Sequence, residues 1–204
     1  MPNLIDLILH LDKYLIPLVQ QYPSGIYAIL FLIIMVETGL VMAPFLPGDS
    51  LLFAVGTIAA LGQMKVSLLW LLLVVAAVLG DALNYHAGKY ASHHLMRFVK
   101  EEHMQKTKAY FEKYGKKTIV LARFIPVVRS VAPFLAGIGK MPYRQFFTYN
   151  ILGGFLWVTL LLFGGYFFGQ LPFVQENFGL ITLGIIVVSF LPLLWEWWKR
   201  KSER

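Results

Sequence analysis

The sequence contains no cysteine among its 204 residues. This absence excludes disulfide bonds, zinc–thiolate sites and cysteine-based catalysis. Charged residues are also scarce, at 14% of the chain, whereas 58% of the residues are hydrophobic. A soluble domain is usually about 45–50% apolar. Because the apolar residues form long runs, such as 66–78 and 180–195, the sequence indicates membrane spans.

The N-terminus lacks the features of a cleaved secretory signal. The acids Asp6 and Asp12 precede its first lysine, and no small-residue cleavage site follows. We therefore expect the N-terminal segment to be retained. Apolar residues recur there at helical spacing between charged ones, which predicts an amphipathic helix over 3–22 that lies in the membrane interface.

The positive charge is concentrated in two segments. Residues 89–117 contain eight lysines or arginines and three acids, net +5, and residues 199–204 contain four and one, net +3. Since the whole chain has a net charge of +7, the remainder sums to −1. Nucleic-acid binding would need a basic face on a soluble domain. These basic residues instead border apolar runs, so the positive-inside rule predicts that both segments are cytoplasmic.

The pattern of apolar runs predicts an all-α polytopic membrane protein with a single domain. Residues 118–140 are long enough to span, but a crossing there would put the two basic segments on opposite sides. We therefore predict that this stretch is a re-entrant hairpin. The remaining predicted segments are a span at 26–39, a re-entrant hairpin at 40–61, a span at 66–88, the cytoplasmic segment 89–117, and spans at 143–169 and 177–198, about four full spans in total.

One short phrase occurs twice, as Ala-Pro-Phe-Leu-Pro-Gly at 43–48 and as Ala-Pro-Phe-Leu-Ala-Gly at 132–137. Each copy is followed by a long apolar run, and by the predicted topology the two hairpins enter from opposite faces. This pattern predicts an inverted repeat whose hairpin tips meet near the midplane, as in many transporters. The residues that shape the hairpins are Pro44, Pro47, Gly48, Pro126, Pro133 and Gly137.

Four charged residues lie within these apolar stretches, namely Glu37, Asp49, Arg123 and Arg129. A charge at the bilayer centre costs about 2.5–3.5 kcal/mol on insertion scales, so it usually has a partner or a function. The arginines could bind the phosphate of a lipid, because a guanidinium offers several donors to phosphate oxygens. Alternatively, they could form purely structural ion pairs with Glu37 and Asp49.

The two acids could transport protons, because a substrate phosphate would compete with them for the arginines. Asp49 could instead cap the returning half-helix, since it follows Pro47-Gly48. Three further polar residues are predicted to form hydrogen bonds between spans or to line a cavity: Asp81, Asn84 and Asn150. The histidines form no pattern that predicts a metal site.

These residues together resemble the DedA family of bacterial membrane proteins. The resemblance rests on Glu-Thr-Gly-Leu at 37–40, Phe-Leu-Pro-Gly-Asp-Ser-Leu-Leu at 45–52, Gly-Asp-Ala-x-Asn-Tyr-x-x-Gly at 80–88, Ala-Arg-Phe-Ile-Pro-x-x-Arg at 122–129, the second copy of the repeated phrase, and Tyr149, Asn150, Gly153 and Trp157. It implies an inner-membrane transporter fold that moves lipids between leaflets, notably undecaprenyl phosphate. It also implies that Glu37 and Asp49 are the functional acids and that Arg123 and Arg129 are the functional arginines.

The expected function is therefore proton-coupled transport of an anionic polyprenyl phosphate or phospholipid across the bacterial inner membrane. The expected partners are the bilayer, that lipid and protons, with no nucleic acid, cofactor or metal. A proton-coupled exporter of small cations or drugs and a non-catalytic assembly factor remain as alternatives. An intramembrane lipid phosphatase is disfavoured, because no nucleophile and base accompany the arginines. The sequence does not specify the oligomeric state.

Overall fold

The computed structural model describes residues 11–40, 48–95, 101–176 and 184, and all regular structure in these ranges is helical. The amphipathic helix α1 is described from Leu11, and its Leu15 and Val19 are buried. In chain order the helices are α1 (Leu11–Gln21), α2 (Gly25–Gly39), α3 (Gly48–Ala60), α4 (Val66–Leu95), α5 (Glu101–Tyr114), a 3-10 turn (Gly115–Lys117), α6 (Thr118–Ala122), α7 (Pro126–Ile138), α8 (Tyr143–Phe168) and α9 (Pro172–Glu176).

Two helices, α4 and α8, are long and apolar enough to cross a membrane. They correspond to the predicted spans at 66–88 and 143–169, although α4 continues to Leu95 and so takes up the start of the predicted basic segment. Both helices present large apolar side chains to the outside, including Leu83 and Leu160. A soluble protein rarely exposes a continuous apolar surface of this kind, so lipid is the environment that suits this surface.

The helix at the predicted first span, α2, is shorter than a full crossing. Its 15 residues extend about 22 Å, against a hydrocarbon core of about 30 Å. The helix ends at Gly39 because the backbone of Leu40 is extended. Within the described residues, two helices rather than three thus reach spanning length, and the predicted span at 177–198 lies outside those residues except for residue 184.

Each predicted hairpin contains a 13-residue apolar helix as its second limb. In the first hairpin this limb is α3, while Pro44 and Pro47 lie outside the described residues. In the second hairpin, α6 and α7 are separated by a bend at 123–125. Ile125 is extended because it precedes Pro126, and a proline at the start of a helix loses no hydrogen bond. Pro133 lies inside α7 without ending it.

The helices pack in a pattern that relates the two halves of the chain. The helix that precedes each 13-residue limb contacts the long helix of its own half, α2 on α4 and α6 on α8. The second limb crosses over to the other half, so that α3 packs on α8 and α7 packs on α4. This exchange is the arrangement expected of two related halves, and it joins them into a single domain.

Glycines permit the close approach of α3 to α8. A Cβ atom on Gly56 would overlap the backbone of Leu162, and a Cβ atom on Gly165 would overlap the backbone of Phe53. The absence of side chains at these two positions lets the helix backbones touch. Small residues have the same use where helices pack in membranes.

The contact between α7 and α4 repeats this arrangement. A Cβ atom on Gly137 would overlap the backbone of Tyr85, and a Cβ atom on Gly88 would overlap the backbone of Phe134. Each of the two crossings thus has one glycine on the hairpin limb and one on the long helix. The repeat detected in the sequence is therefore reflected in the packing.

The register of the repeat differs from the one that the repeated phrase predicts. In the phrase, Gly137 matches Gly48, but the structure gives Gly137 the same position as Gly56. Gly48 instead faces the carboxylate of Glu37. The two copies of the phrase therefore do not occupy equivalent positions in the two halves, because a crossing requires a glycine wherever two backbones meet.

Candidate functional site

The first part of the candidate site is a cluster of one arginine and two acids from different helices. Arg129, near the start of α7, contacts Glu37 of α2 through Nη2 at 2.5 Å and Asp49 of α3 through Nη1 at 3.1 Å. Glu37 is 3% exposed and Arg129 is 9% exposed. Because the acids belong to the first half of the chain and the arginine to the second, this cluster links the two halves.

Glu37 also contacts the beginning of α3. The backbone N–H of Gly48 donates a hydrogen bond of 3.2 Å to Glu37 Oε1, the oxygen that Arg129 contacts. A Cβ atom at Gly48 would overlap this carboxylate. The positive end of the α3 dipole and Arg129 therefore both stabilise the ionised form of Glu37.

Arg123 forms a second cluster with a different acid. Its Nη2 donates to Asp81 Oδ2 at 2.5 Å, to Asn150 Oδ1 at 2.6 Å and to the carbonyl of Ala77 at 3.3 Å. The arginine stem lies against Gly153 of α8, where a side chain would crowd it. Arg123 thus joins α4 to α8 and is 2% exposed.

The pairing of Arg123 corrects one expectation from the sequence. One alternative from the sequence paired both arginines with Glu37 and Asp49, but these acids pair with Arg129, and Asp81 pairs with Arg123. The physical reason is the position of Arg123. It directly follows α6, which packs on α8, and Asp81 of α4 is the acid within its reach. The two clusters together contain three carboxylates and two guanidinium groups.

Trp157 of α8 lies between the two clusters. Its indole N–H donates to Asp49 Oδ1 at 2.9 Å, and its ring centroid is 5.0 Å from the Cζ atom of Arg129 and 5.9 Å from that of Arg123. An aromatic face stabilises a cation at such distances. From the sequence, Trp157 had no role beyond its place in the family motif, and a tryptophan three residues after the pair Gly153-Gly154 gives no indication of its partners.

Two asparagines hold the surrounding helices in place. Asn150 donates to the carbonyl of Val78, and Asn84 donates to the carbonyl of Ser130 at 2.9 Å. These contacts are the inter-helix hydrogen bonds that the sequence predicted for Asn84 and Asn150. The histidine, aspartate and glutamate residues in the described ranges do not cluster as a metal site.

Several buried polar atoms of the site have no hydrogen-bond partner within the described part of the chain. Arg123 contributes Nε and Nη1, so two of its three nitrogens have unused donors. The oxygens in this group are Glu37 Oε2, Asp81 Oδ1 and Asn84 Oδ1. Buried polar groups normally have partners, so these atoms indicate a place where water, a proton or a polar ligand would be stabilised.

The edge of the site is at Asp49 and Arg129. The side chain of Asp49 is 19% exposed and that of Arg129 is 10% exposed, whereas the side chains of Glu37, Asp81 and Arg123 are 3% exposed or less. A ligand that approaches from outside the protein would therefore meet the Asp49–Arg129 pair first. Arg123 and Asp81 lie behind that pair and Trp157.

Comparison with known proteins agrees with this architecture. The model of the VTT domain matches residues 46–167, which include α4, all but the last residue of α8, and three of the four charged residues singled out in the sequence. The chain is 50% identical to Protein DedA of Escherichia coli strain K12 over 196 residues, which cover 93% of this chain and 90% of that protein.

Two further relatives are more distant. An uncharacterized membrane protein of Mycobacterium leprae is 40% identical over 96% of this chain and 94% of its own length. The inner membrane protein YqjA of Escherichia coli strain K12 is 36% identical over 72% of this chain and 69% of its own. No solved structure matches the chain. The VTT domain matches the chain, and half of the aligned residues are identical to those of Protein DedA over nearly the full length. The chain therefore belongs to the DedA family of membrane proteins.

Proposed function

We propose that the protein moves the anionic head of a membrane lipid between the two leaflets of the bacterial inner membrane. A polyprenyl phosphate, such as undecaprenyl phosphate, is the preferred substrate, and a phospholipid is the other candidate of the same chemistry. The head would bind between the two halves, while the apolar tail stays in the surrounding lipid. The name of the relative YqjA supports the inner membrane as the location.

The observation that best supports this proposal is the buried acid–arginine site at the junction of the two halves. Arg129 uses two nitrogens to contact Glu37 and Asp49, which is a geometry that the oxygens of a phosphate can replace. A purely structural ion pair of this kind could be replaced by apolar packing without loss of stability. A substrate phosphate that competes with the two acids for Arg129 would explain why these charges are buried.

The charge balance of the site supports coupling to protons. Glu37, Asp49 and Asp81 outnumber Arg123 and Arg129 by one, and an uncompensated buried charge is costly. A proton on one carboxylate restores neutrality. When Glu37 or Asp49 takes a proton, Arg129 is released to bind phosphate, and when the proton leaves, the ion pair re-forms and expels the lipid head.

The proposal includes a topology that follows from the charges of the segments. The basic segment with α5 and the C-terminus would be cytoplasmic, and the two hairpins would enter from opposite faces. The exchange of hairpin limbs between α4 and α8 supports this inverted arrangement. Rocking of one half against the other would then expose the Arg129 cluster alternately to each side.

The test is an assay of headgroup accessibility for a polyprenyl phosphate in proteoliposomes. Arg129→Ala and Arg123→Ala should each lower the rate of headgroup translocation at least about tenfold, because the phosphate loses a charged partner. Both variants must still insert into the membrane. Arg144→Ala is the matched control, since Arg144 is exposed at the start of α8. Unchanged translocation in both alanine variants would defeat the assignment of the arginines.

The excess carboxylate favours one alternative, a proton-coupled exporter of small cations or drugs. A cation would neutralise the third acid directly, and the arginines would be structural. Proteoliposomes without any carrier lipid separate the two candidates: cation transport that persists there supports the exporter. We propose no enzymatic role, so labelled lipid should release no phosphate. A non-catalytic assembly factor would move neither the lipid nor the cation.

A further inference from the structure

A cavity separate from the charged site lies beside α5. Its volume is about 520 Å³, within the usual range of ligand pockets, and it lies between α5, the end of α7 and the start of α8. Apolar side chains form much of its wall, among them Phe111, Leu135, Ile138 and Met141. The two lysines at the cavity, Lys108 and Lys116, are exposed.

The distance along α7 shows that this cavity does not belong to the acid–arginine site. The α7 residues on the cavity wall, Leu135 to Ile138, follow Arg129 by six to nine residues, which corresponds to about 9–13 Å along the helix axis. Arg129 is at the beginning of α7, whereas the cavity is at its end. Neither arginine of the candidate site lines the cavity.

The position of the cavity relates it to the surface of the membrane. It is next to Met141 and Pro142, which immediately precede the apolar helix α8. From Tyr143 onward, α8 exposes large apolar side chains such as Phe147 and Ile151 to its surroundings. On the other side, α5 is polar. The cavity therefore lies where the lipid-facing surface gives way to a basic, solvated segment.

The chemistry of the wall selects an amphiphile with a negative head. The apolar wall suits a hydrocarbon chain. A small polar anion would cover that apolar surface without forming favourable contacts with it. Lys108 and Lys116 are opposed by one acid on the wall, Glu112, so the charged groups have a net charge of +1. Basic pockets at the membrane surface beside helices of this kind bind anionic headgroups.

We propose that this cavity binds one acyl chain of an anionic phospholipid, with the headgroup on Lys108 and Lys116. The lipid would be a bound component of the leaflet that the basic segment faces, and it would hold α5 against the ends of α7 and α8. This proposal does not depend on transport. It concerns a resident lipid, whereas the acid–arginine site concerns a substrate.

The test is native mass spectrometry of the full chain in detergent, titrated separately with phosphatidylglycerol and with phosphatidylcholine. We expect the wild-type protein to retain phosphatidylglycerol preferentially. Lys108→Glu/Lys116→Glu should weaken phosphatidylglycerol binding about 30-fold or more, from the usual contribution of a lysine near an anionic surface. The control Lys65→Glu/Lys113→Glu changes the net charge equally at two exposed lysines that do not line the cavity. Equal losses in the two double variants would overturn the proposal.

A second variant tests the place of the acyl chain. Gln145 is on the wall of the cavity and is half-buried, so the larger ring in Gln145→Trp should obstruct the cavity. We expect this variant to lose phosphatidylglycerol while its thermal unfolding in lipid-free detergent is unchanged. If Gln145→Trp retains the lipid as the wild type does, or if the wild type binds both lipids equally, the cavity is not an anionic-lipid site. This variant decides the question even if the charge-reversed protein does not fold.

Discussion

Neutralising Asp81 should destabilise the protein by leaving the charge of Arg123 buried without a counter-ion. Asp81→Asn changes the shape of the side chain very little, and its carbonyl still accepts a hydrogen bond. Loss of one partner of a buried ion pair costs about 3–5 kcal/mol. Because Arg123 keeps Asn150 and the Ala77 carbonyl, we expect the lower end, about 3 kcal/mol. For a chain of this length, that corresponds to a decrease in Tm of about 6–12 °C.

The double variant Asp81→Asn/Arg123→Met should regain much of this loss, since methionine fills the space of the arginine stem without a charge. The two substitutions should therefore be coupled by about 2–3 kcal/mol. Thermal unfolding in detergent, followed by intrinsic fluorescence, measures the wild type, the two single variants Asp81→Asn and Arg123→Met, and the double variant. Asp81→Asn/Arg144→Met serves as the control, because it removes an arginine that is exposed. If Asp81→Asn unfolds like the wild type, or if the two effects simply add, the Asp81–Arg123 pair is not a buried ion pair.

Three further predictions concern the tryptophan, the glycine crossing and the bidentate arginine. Trp157→Phe keeps an aromatic ring but loses the N–H bond to Asp49, so its free energy of unfolding should fall by about 1–3 kcal/mol. An unchanged Tm would contradict the contact. Gly165→Ala should destabilise by about 1–3 kcal/mol through overlap with α3, whereas Gly164→Ala, which faces open space, should be neutral or stabilising; similar Tm values for both would argue against the close crossing. Compared with Arg129→Ala, Arg129→Lys should recover little headgroup translocation in proteoliposomes, because an ammonium cannot contact two acids in the planar arrangement of a guanidinium. Full recovery would contradict the bidentate role.

Much of the helical architecture could be predicted from local properties of the sequence. Apolar runs of sufficient length predicted α4 and α8, and the prolines predicted breaks such as the one before Pro126. The buried charges Glu37 and Arg129 could be recognised because a charge in an apolar stretch is rare. These features depend on composition and on neighbours in the chain, which the sequence displays directly.

The partners within the site could not be predicted in the same way. The pairing of Arg123 with Asp81 depends on how α6 packs on α8, which no spacing in the sequence reports. The use of Gly56 as the counterpart of Gly137 likewise depends on where two helix backbones cross. Trp157 was missed for the same reason, since a tryptophan in an apolar helix usually packs in a core or at the membrane surface. In each case the missing information was long-range packing.

The most direct test of the proposed lipid site is the distance between a lipid phosphate and the arginine guanidinium groups. Phosphorus–nitrogen dipolar coupling in solid-state NMR can measure it, with arginine labelled by nitrogen-15 and a polyprenyl phosphate in the bilayer. We predict a coupling within hydrogen-bonding range in the wild type whose Arg129 contribution disappears in Arg129→Lys and which is unchanged in Arg144→Lys. A protein that translocates the lipid head while showing no such coupling, or one whose coupling disappears only in Arg144→Lys, would contradict a phosphate site at Arg129.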